Sequence, residues 1–136
     1  MSGRGADELA RVPTGTPWVD SYGYSRAVRS GTRIEVSGTT AIDPAGKPVA
    51  PGDAYEQTRY ALGIIGAALE ELGASFADVV RTRVFLRNID DWREVGRAHK
   101  EVFGDTPPAS SCVGGCDLLL PELLVEIEAS AVLRSS

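Results

Sequence analysis

The sequence is poor in the side chains that bind transition metals. It has two cysteines and one histidine among 136 residues, whereas a structural zinc site uses four Cys or His ligands. Along an extended strand Cys112 and Cys116 would lie about 13 Å apart, too far for a disulfide unless the intervening residues turn sharply. We therefore expect two free thiols in a reducing cytoplasm and no metal site.

Positive charge and long apolar runs are also scarce. The chain has 14 Lys and Arg against 19 Asp and Glu, for a net charge of −5. This balance argues against nucleic-acid binding, which favours a basic face, although a local basic patch stays open. The longest uncharged helical run, residues 60–69, is too short to cross a membrane. Residues 1–10 carry charges and lack the apolar core of a signal peptide. No membrane or nucleic-acid partner is expected.

The length and composition predict a single domain. Hydrophobic residues make up 43% of the chain and charged residues 24%, which is ordinary for a globular protein that buries its own core. Residues 1–17 are rich in Gly, Thr and Pro and predict a flexible N-terminal arm. Residues 18–136 form the predicted domain.

The hydrophobic periodicity predicts an α+β fold. Asp53, with Glu56 three residues later, has the pattern of a capping box at the start of the first helix, and Gly73 is a typical helix stop. Gly114 and Gly115 interrupt a later strand, where we expect a bulge or a widened pocket. The predicted elements are strands at 24–29 and 33–40, a short strand near 49, a helix at 53–72, a strand at 79–87, a helix at 91–103, and strands at 109–116 and 123–133.

Two helices should cover one face of a mixed sheet. The opposite face carries apolar and charged positions, Phe85 among them, and needs cover of its own. Association of several copies through that face is a fair inference.

These residues resemble the Rid family of reactive intermediate deaminases, also called YjgF or L-PSP endoribonucleases. The similarity runs over residues 23–133 with order and spacing kept. The matching stretches are YSRA at 24–27, VSG at 36–38, QT at 57–58, GASFADVVRTRVFL at 73–86, PA at 108–109 and VEIEA at 125–129.

The resemblance implies a chorismate-mutase-like fold and a homotrimer with a central β-barrel and a small pocket at each subunit interface. It also implies hydrolysis of reactive enamines and imines, such as 2-aminoacrylate and its imine tautomer, to 2-keto acids and ammonia. No metal or organic cofactor is implied.

The sequence departs from the deaminase pattern at two positions. In deaminase members an arginine that can grip a substrate carboxylate follows Pro-Ala, and here that position is Ser110. An asparagine of the second helix aligns with Gly96, which has no side chain. Because a serine hydroxyl cannot replace a guanidinium, we expect a substrate that lacks such a carboxylate or one whose carboxylate is held differently.

The resemblance implies three catalytic candidates. Glu126 could position water or move a proton, although it could also be an exposed strand carboxylate like Glu128. Tyr24 could close the pocket from a neighbouring subunit or be an ordinary edge aromatic. Cys112 could be a nucleophile, but without a partner nearby in sequence a small buried thiol is the preferred interpretation.

The candidates for substrate binding are Ser37, Gly38, Ser110 and Ser111. Ser37 ends a strand, where a hydroxyl often satisfies backbone groups instead. His99 titrates near neutrality, yet it lies on the apolar side of the second helix, so we expect a hydrogen-bonded, partly buried histidine.

The sequence thus predicts a divergent imine or enamine hydrolase-deaminase acting on a small reactive metabolite other than 2-aminoacrylate. The alternative is a trimeric small-ligand-binding module without catalysis. An endoribonuclease is the weakest hypothesis, because the chain is acidic and has no basic groove lined with aromatic side chains.

Overall fold

A computed structural model of the chain describes residues 9–134. Within that range the chain forms one six-stranded sheet, in the order β1-β2-β3-β6-β4-β5, and three helices. No helix in the described part is long and apolar enough to cross a membrane. The mixed α+β architecture agrees with the sequence prediction, whereas trimer and barrel stay predictions.

The segment predicted as an arm contains an ordered strand. Strand β1, Leu9–Val12, pairs antiparallel with β2, Ala27–Ser30. Val12 is buried, and this apolar anchor explains why the segment docks on the sheet. Helix α1, Val19–Tyr22, follows and ends at Gly23, whose φ of 73° is left-handed. The arm prediction for residues 1–17 is therefore wrong for β1, and residues 1–8 lie outside the described part.

The hairpin predicted from the alternating pattern is confirmed. Strand β3, Arg33–Thr39, pairs antiparallel with β2 across a tight turn at Gly31. The pairing of β3 with the last strand shifts register between Val36 and Thr39. The strand predicted near residue 49 is reduced to a single bridge between Ile42 and Pro48.

Helix α2, Ala54–Glu71, begins where the capping residue predicted it. Asp53 Oδ1 accepts a hydrogen bond from the Glu56 amide at 3.0 Å. The Glu56 carboxylate pairs instead with Arg59, at 3.3 Å, so half of the predicted capping box forms. Gly73 follows the helix with a φ of 88°, as a helix stop requires.

The second half of the chain supplies the centre and the far edge of the sheet. The elements are strand β4, Val79–Leu86; helix α3, Trp92–Phe103; strand β5, Ala109–Val113; and strand β6, Val125–Val132. Strand β6 lies antiparallel to β3 and β4, and β5 lies parallel to β4. Strand β5 ends before Gly114, where a β-carbon would lie 2.9 Å from the Ile89 Cα. This close approach explains the glycine that interrupts the predicted strand.

The helices cover one face of the sheet, as predicted. Alternate residues of β3, β4 and β6 enter one core with the apolar sides of α2 and α3. The buried members include Ile34, Val36, Leu62, Ile65, Leu69, Val84, Leu86, Val95, Phe103, Val125 and Ile127.

The opposite face of the sheet, which we call the open face, carries charged pairs and exposed side chains. Arg83 Nη1 lies 3.7 Å from Glu128 Oε1, and Arg33 Nη2 lies 2.6 Å from Glu35 Oε2. At the β5 edge Val113 is 49% exposed. The mixture of apolar and charged positions that the sequence predicts for this face is therefore confirmed.

Candidate active site

A cavity of about 350 Å³ lies beside β2, β3 and β6. It opens into a wider depression of about 650 Å³, and both are lined by Trp18, Tyr24, Gly38, Leu119 and Glu126. Three of the predicted site residues, on three separate segments, thus meet at one place. The volume suits a small molecule.

Glu126 is the carboxylate of this cavity. It lies on β6, half-buried, next to Gly38 of β3. Burial raises the pKa of the Glu126 carboxyl, the Glu128 carboxylate raises it further, and the Arg26 guanidinium lowers it in part. A raised pKa makes a carboxylate a stronger base, which suits it to take a proton from water and return it.

Gly38 makes room for that carboxylate. A β-carbon at Gly38 would overlap the Glu126 side chain, with the Glu126 Cδ 2.9 Å away. Real β-carbon contacts are not this short. In the structure Gly38 has a spatial role, because its missing side chain lets Glu126 lie against the β3 backbone. The substrate contact predicted for Gly38 stays a prediction.

Tyr24 is held in the cavity by the segment that precedes it. Trp18 Nε1 donates a hydrogen bond to Tyr24 Oη at 2.9 Å, and Thr16 Oγ1 lies 2.8 Å from the same hydroxyl. The Tyr22 ring packs edge-on at a centroid distance of 5.8 Å. Tyr24 is therefore a positioned, half-buried phenol, and the edge-aromatic alternative does not describe it.

Arg26 is a further cavity residue, and its side chain is only 6% exposed. Nη1 donates to Thr39 Oγ1 at 2.8 Å and to the Gly38 carbonyl at 3.2 Å. Nε is buried with no hydrogen-bond partner among the described residues. Burial lowers the pKa of Arg26, while Tyr24 and Glu126 counteract that change.

Ser37 lies at the rim of the wider depression. Its hydroxyl donates to the Ser25 carbonyl at 2.7 Å, and its amide donates to the Arg26 carbonyl. The Ser37 hydroxyl thus forms a hydrogen bond with the backbone, which is the alternative that the sequence analysis gave to ligand binding. A ligand contact for Ser37 stays a prediction.

The other three predicted site residues lie on β5, at the far edge of the sheet, and their side chains are exposed. Ser110 Oγ accepts a hydrogen bond from Thr82 Oγ1 at 2.7 Å, and Ser111 Oγ accepts one from Arg81 Nη2 at 2.8 Å. Partial burial and the neighbouring Cys116 raise the pKa of the Cys112 thiol. A raised pKa leaves less thiolate, which weakens the case for Cys112 as a nucleophile. Its exposure contradicts the preferred interpretation of a buried thiol: it lies at a sheet edge that no helix covers.

Within a single chain, the site residues on β5 lie apart from the Glu126 cavity. Strand β4 separates β5 from β6, so their backbones are about 10 Å apart. Cys112 is in register with Val84 and Ile127 on the helix side, whereas Glu126 is in register with Phe85 on the open face. Cys112 and Ser110 therefore point away from Glu126 of their own chain.

His99 is the partly buried, hydrogen-bonded residue that the sequence predicts. Its Nε2 lies 2.9 Å from Thr82 Oγ1, and its ring packs on Phe103 at 4.7 Å. Burial lowers the pKa of His99, which favours the neutral ring. No group of three or more His, Cys, Asp or Glu within residues 9–134 could hold a metal ion.

Sequence reasoning missed Arg26, Trp18 and Thr16 as site residues. Arg26 had a usable signal, because it lies two positions after Tyr24 and a strand places such residues on one side. Trp18 and Thr16 lie in the segment assigned to the arm and its boundary. Only the fold shows that this segment turns back onto the Tyr24 hydroxyl.

Comparison with known proteins agrees with this geometry. The family model for Endoribonuclease L-PSP matches residues 19–133. A 3-aminoacrylate deaminase, RutC, from Acinetobacter baylyi is 33% identical over 88% of this chain and 94% of its own. A 2-iminobutanoate/2-iminopropanoate deaminase from Capra hircus is 36% identical over 80% of this chain and 79% of its own.

Solved structures agree as well. A member of the YjgF/YER057c/UK114 family from Mycobacterium tuberculosis superposes with a TM-score of 0.83, at 43% identity, over 93% of this chain and all of the other. The fold and the site therefore define an α+β protein of the YjgF type. The chain belongs to the Rid family, whose members include imine and aminoacrylate deaminases.

Proposed function

We propose that this protein is a hydrolase-deaminase that converts a small imine or enamine to a carbonyl compound and ammonia. The observation that carries the proposal is the position of Glu126, a half-buried carboxyl with a raised pKa beside a positioned tyrosine in a cavity of about 350 Å³. The deaminase activities of the relatives support the same reaction class.

The reaction needs water at the imine carbon and two proton movements. The Glu126 carboxylate accepts a proton from water as the water oxygen bonds to the imine carbon, while the C=N electron pair moves to the nitrogen, which takes a proton from solvent. Protonated Glu126 then gives its proton to the amine nitrogen, the C–N bond breaks to release ammonia, and the hydroxyl returns a proton to solvent as the carbonyl forms. Tyr24, fixed by Thr16 and Trp18, offers a hydroxyl that orients the water or the nitrogen.

The working form in this proposal is a homotrimer whose open faces meet in a central barrel. The support is the apolar and charged character of the open face and the exposed β5 edge, where backbone groups lack a neighbouring strand. In such an assembly Ser110 and Cys112 of one subunit face the Glu126 cavity of the next, whereas Ser111 points to the opposite side of β5. An intersubunit pocket would unite the two groups that one chain keeps apart.

The substrate in this proposal differs from 2-aminoacrylate. Ser110 stands where deaminase members carry the carboxylate-gripping arginine, and its hydroxyl already accepts a hydrogen bond from Thr82. Gly96, exposed on α3, likewise offers no side chain for substrate.

A non-catalytic ligand-binding module is the second candidate, because the replacements at Ser110 and Gly96 leave few polar groups for chemistry. Endoribonuclease activity is the weakest candidate, since the net charge is −5.

The test is a panel of imines generated in situ from amino acids by an amino-acid oxidase, with release of the keto acid followed over time. We expect the native protein to accelerate hydrolysis of at least one imine while 2-iminopropanoate is a poor substrate. Glu126→Gln should abolish the acceleration. If no imine in the panel is hydrolysed faster than in buffer, the proposal fails and the binding module takes its place.

A further inference from the structure

Arg26 is the one charged side chain buried among the described residues. Removing a guanidinium from water is costly unless a partner compensates it, and here compensation is incomplete. Both hydrogen bonds from the Arg26 guanidinium to described residues are donated by Nη1, and Nε has no partner among those residues. Arg26 lines the cavity and has no anionic partner within 4.0 Å among residues 9–134, so an anion in the cavity would compensate its charge.

The cavity contains no carboxylate that neutralises this cation directly. Glu126 and Asp43 line the same cavity, yet among residues 9–134 neither forms an ion pair with Arg26 within 4.0 Å. Arg26 Nη1 contacts the Gly38 carbonyl, and Glu126 packs on the same glycine. The cation and the carboxyl thus border one small space from different sides.

We propose that Arg26 binds the carboxylate of the substrate, with the imine nitrogen toward Glu126. This inference rests on the proposed function and names its substrate class, a small imine that bears a carboxylate. A guanidinium suits a carboxylate because its N–H donors match the two oxygens, while a basic nitrogen suits Glu126. The spatial arrangement of one cation and one carboxyl fits a molecule that carries both kinds of charge.

The assignment also accounts for Ser110. The cation absent from position 110 is supplied by Arg26, the residue that precedes β2. A substrate held from Arg26 is turned relative to one held from position 110. This difference in orientation explains why 2-iminopropanoate is expected to be a poor substrate even though its carboxylate can bind.

The experiment compares binding of pyruvate with binding of pyruvamide, a neutral molecule of the same shape, to the full-length protein by NMR titration. The native protein should bind pyruvate about 10-fold more tightly or better, as expected for a charge-assisted hydrogen bond. Arg26→Gln should remove the preference, and Arg26→Lys should keep part of it. The matched control is Arg29→Gln, since Arg29 lies three residues further along, on β2, and donates to the backbone carbonyls of Gly31 and Leu72.

Each outcome bears on the proposal. If the native protein shows no preference for pyruvate, the assignment is wrong, and this result does not depend on any variant folding. A preference that survives Arg26→Gln, or that Arg29→Gln also removes, overturns it equally. Imine hydrolysis without an Arg26-dependent preference would leave the proposed function standing and remove the anchor. An Arg26-dependent preference without hydrolysis would keep the anchor and remove the catalytic function.

Discussion

Gly38 on β3 and Glu126 on β6 lie so close that no side chain fits between them, and the Glu126 Cδ would be 2.9 Å from a β-carbon on Gly38. Because β3 and β6 are neighbouring strands in the sheet, the backbone offers little freedom to separate them. The position of the Glu126 carboxyl therefore depends on the absence of a single methyl group.

The first prediction concerns Gly38→Ala. The added methyl displaces the Glu126 carboxylate, and a displacement of about 1 Å in a catalytic group can lower the rate about 100-fold. We expect kcat for the imine substrate to fall accordingly. The control is Gly63→Ala on α2, where a β-carbon meets nothing within 4 Å. That variant should keep its activity and melt at a slightly higher temperature, since alanine favours the helix by up to about 1 kcal/mol.

The second prediction concerns stability and pH at Glu126. Its pKa is higher in the folded chain than in the unfolded chain. The folded state is therefore favoured while the carboxyl is protonated, below its unfolded pKa, and loses that contribution as the pH rises through the folded pKa. Glu126→Gln removes the loss, so the variant should melt above the native protein at pH 8 and close to it at pH 4.

Thermal denaturation at the two pH values, followed by circular dichroism, measures this difference. Glu70→Gln, which changes an exposed carboxylate on α2, is the control and should alter the melting temperature equally at both values. An equal effect of Glu126→Gln at pH 4 and pH 8 would contradict the raised pKa.

The third prediction concerns Ser110→Arg. The substitution restores a cation at the β5 position that deaminase members use, so 2-iminopropanoate hydrolysis should rise about 10-fold or more over the native protein. Release of pyruvate from in situ 2-iminopropanoate measures the gain. Ser111→Arg is the control, because Ser111 contacts Arg81 on the open face. An arginine at position 111 would point to the opposite side of β5 from an arginine at position 110. A native protein that already hydrolyses this imine rapidly would overturn our interpretation of Ser110.

The fourth prediction concerns assembly. Light scattering coupled to size-exclusion chromatography should give about three times the chain mass for the native protein, as expected for the proposed homotrimer. Val113→Glu places a charge on the exposed β5 edge and should lower the mass toward that of one chain. Ala67→Glu, on the outer side of α2, should leave the mass unchanged. A native mass of one chain would remove the intersubunit pocket from the proposal.

The sequence predicted the main helices and strands because their signals are local. Alternation in β4 and β6 and the Asp53 cap of α2 need no long-range information. The edge strand β1 escaped prediction because its four residues form a strand only by pairing with β2, 15 or more residues later. Such pairing depends on the tertiary structure and leaves little trace in a segment of only four residues.

The candidate site was predictable only in part. The resemblance identified Tyr24, Gly38 and Glu126, and the structure places them at one cavity. The exclusion of Ser110 and Cys112 from that cavity follows from strand order, because β4 lies between β5 and β6. The burial of Arg26 depends on the register shift that brings Gly38 and Thr39 to its guanidinium, which no periodicity reveals.

Strand β1 has a practical consequence for anyone shortening this chain. Composition alone marks the first 17 residues as expendable, but truncation there would delete Thr16, one of the two groups that orient the Tyr24 phenol. It would also uncover the outer edge of β2, leaving backbone donors and acceptors free to pair with other molecules. The N-terminal segment thus covers the edge of β2 with its strand and, through residues 14–16, lines one wall of the cavity.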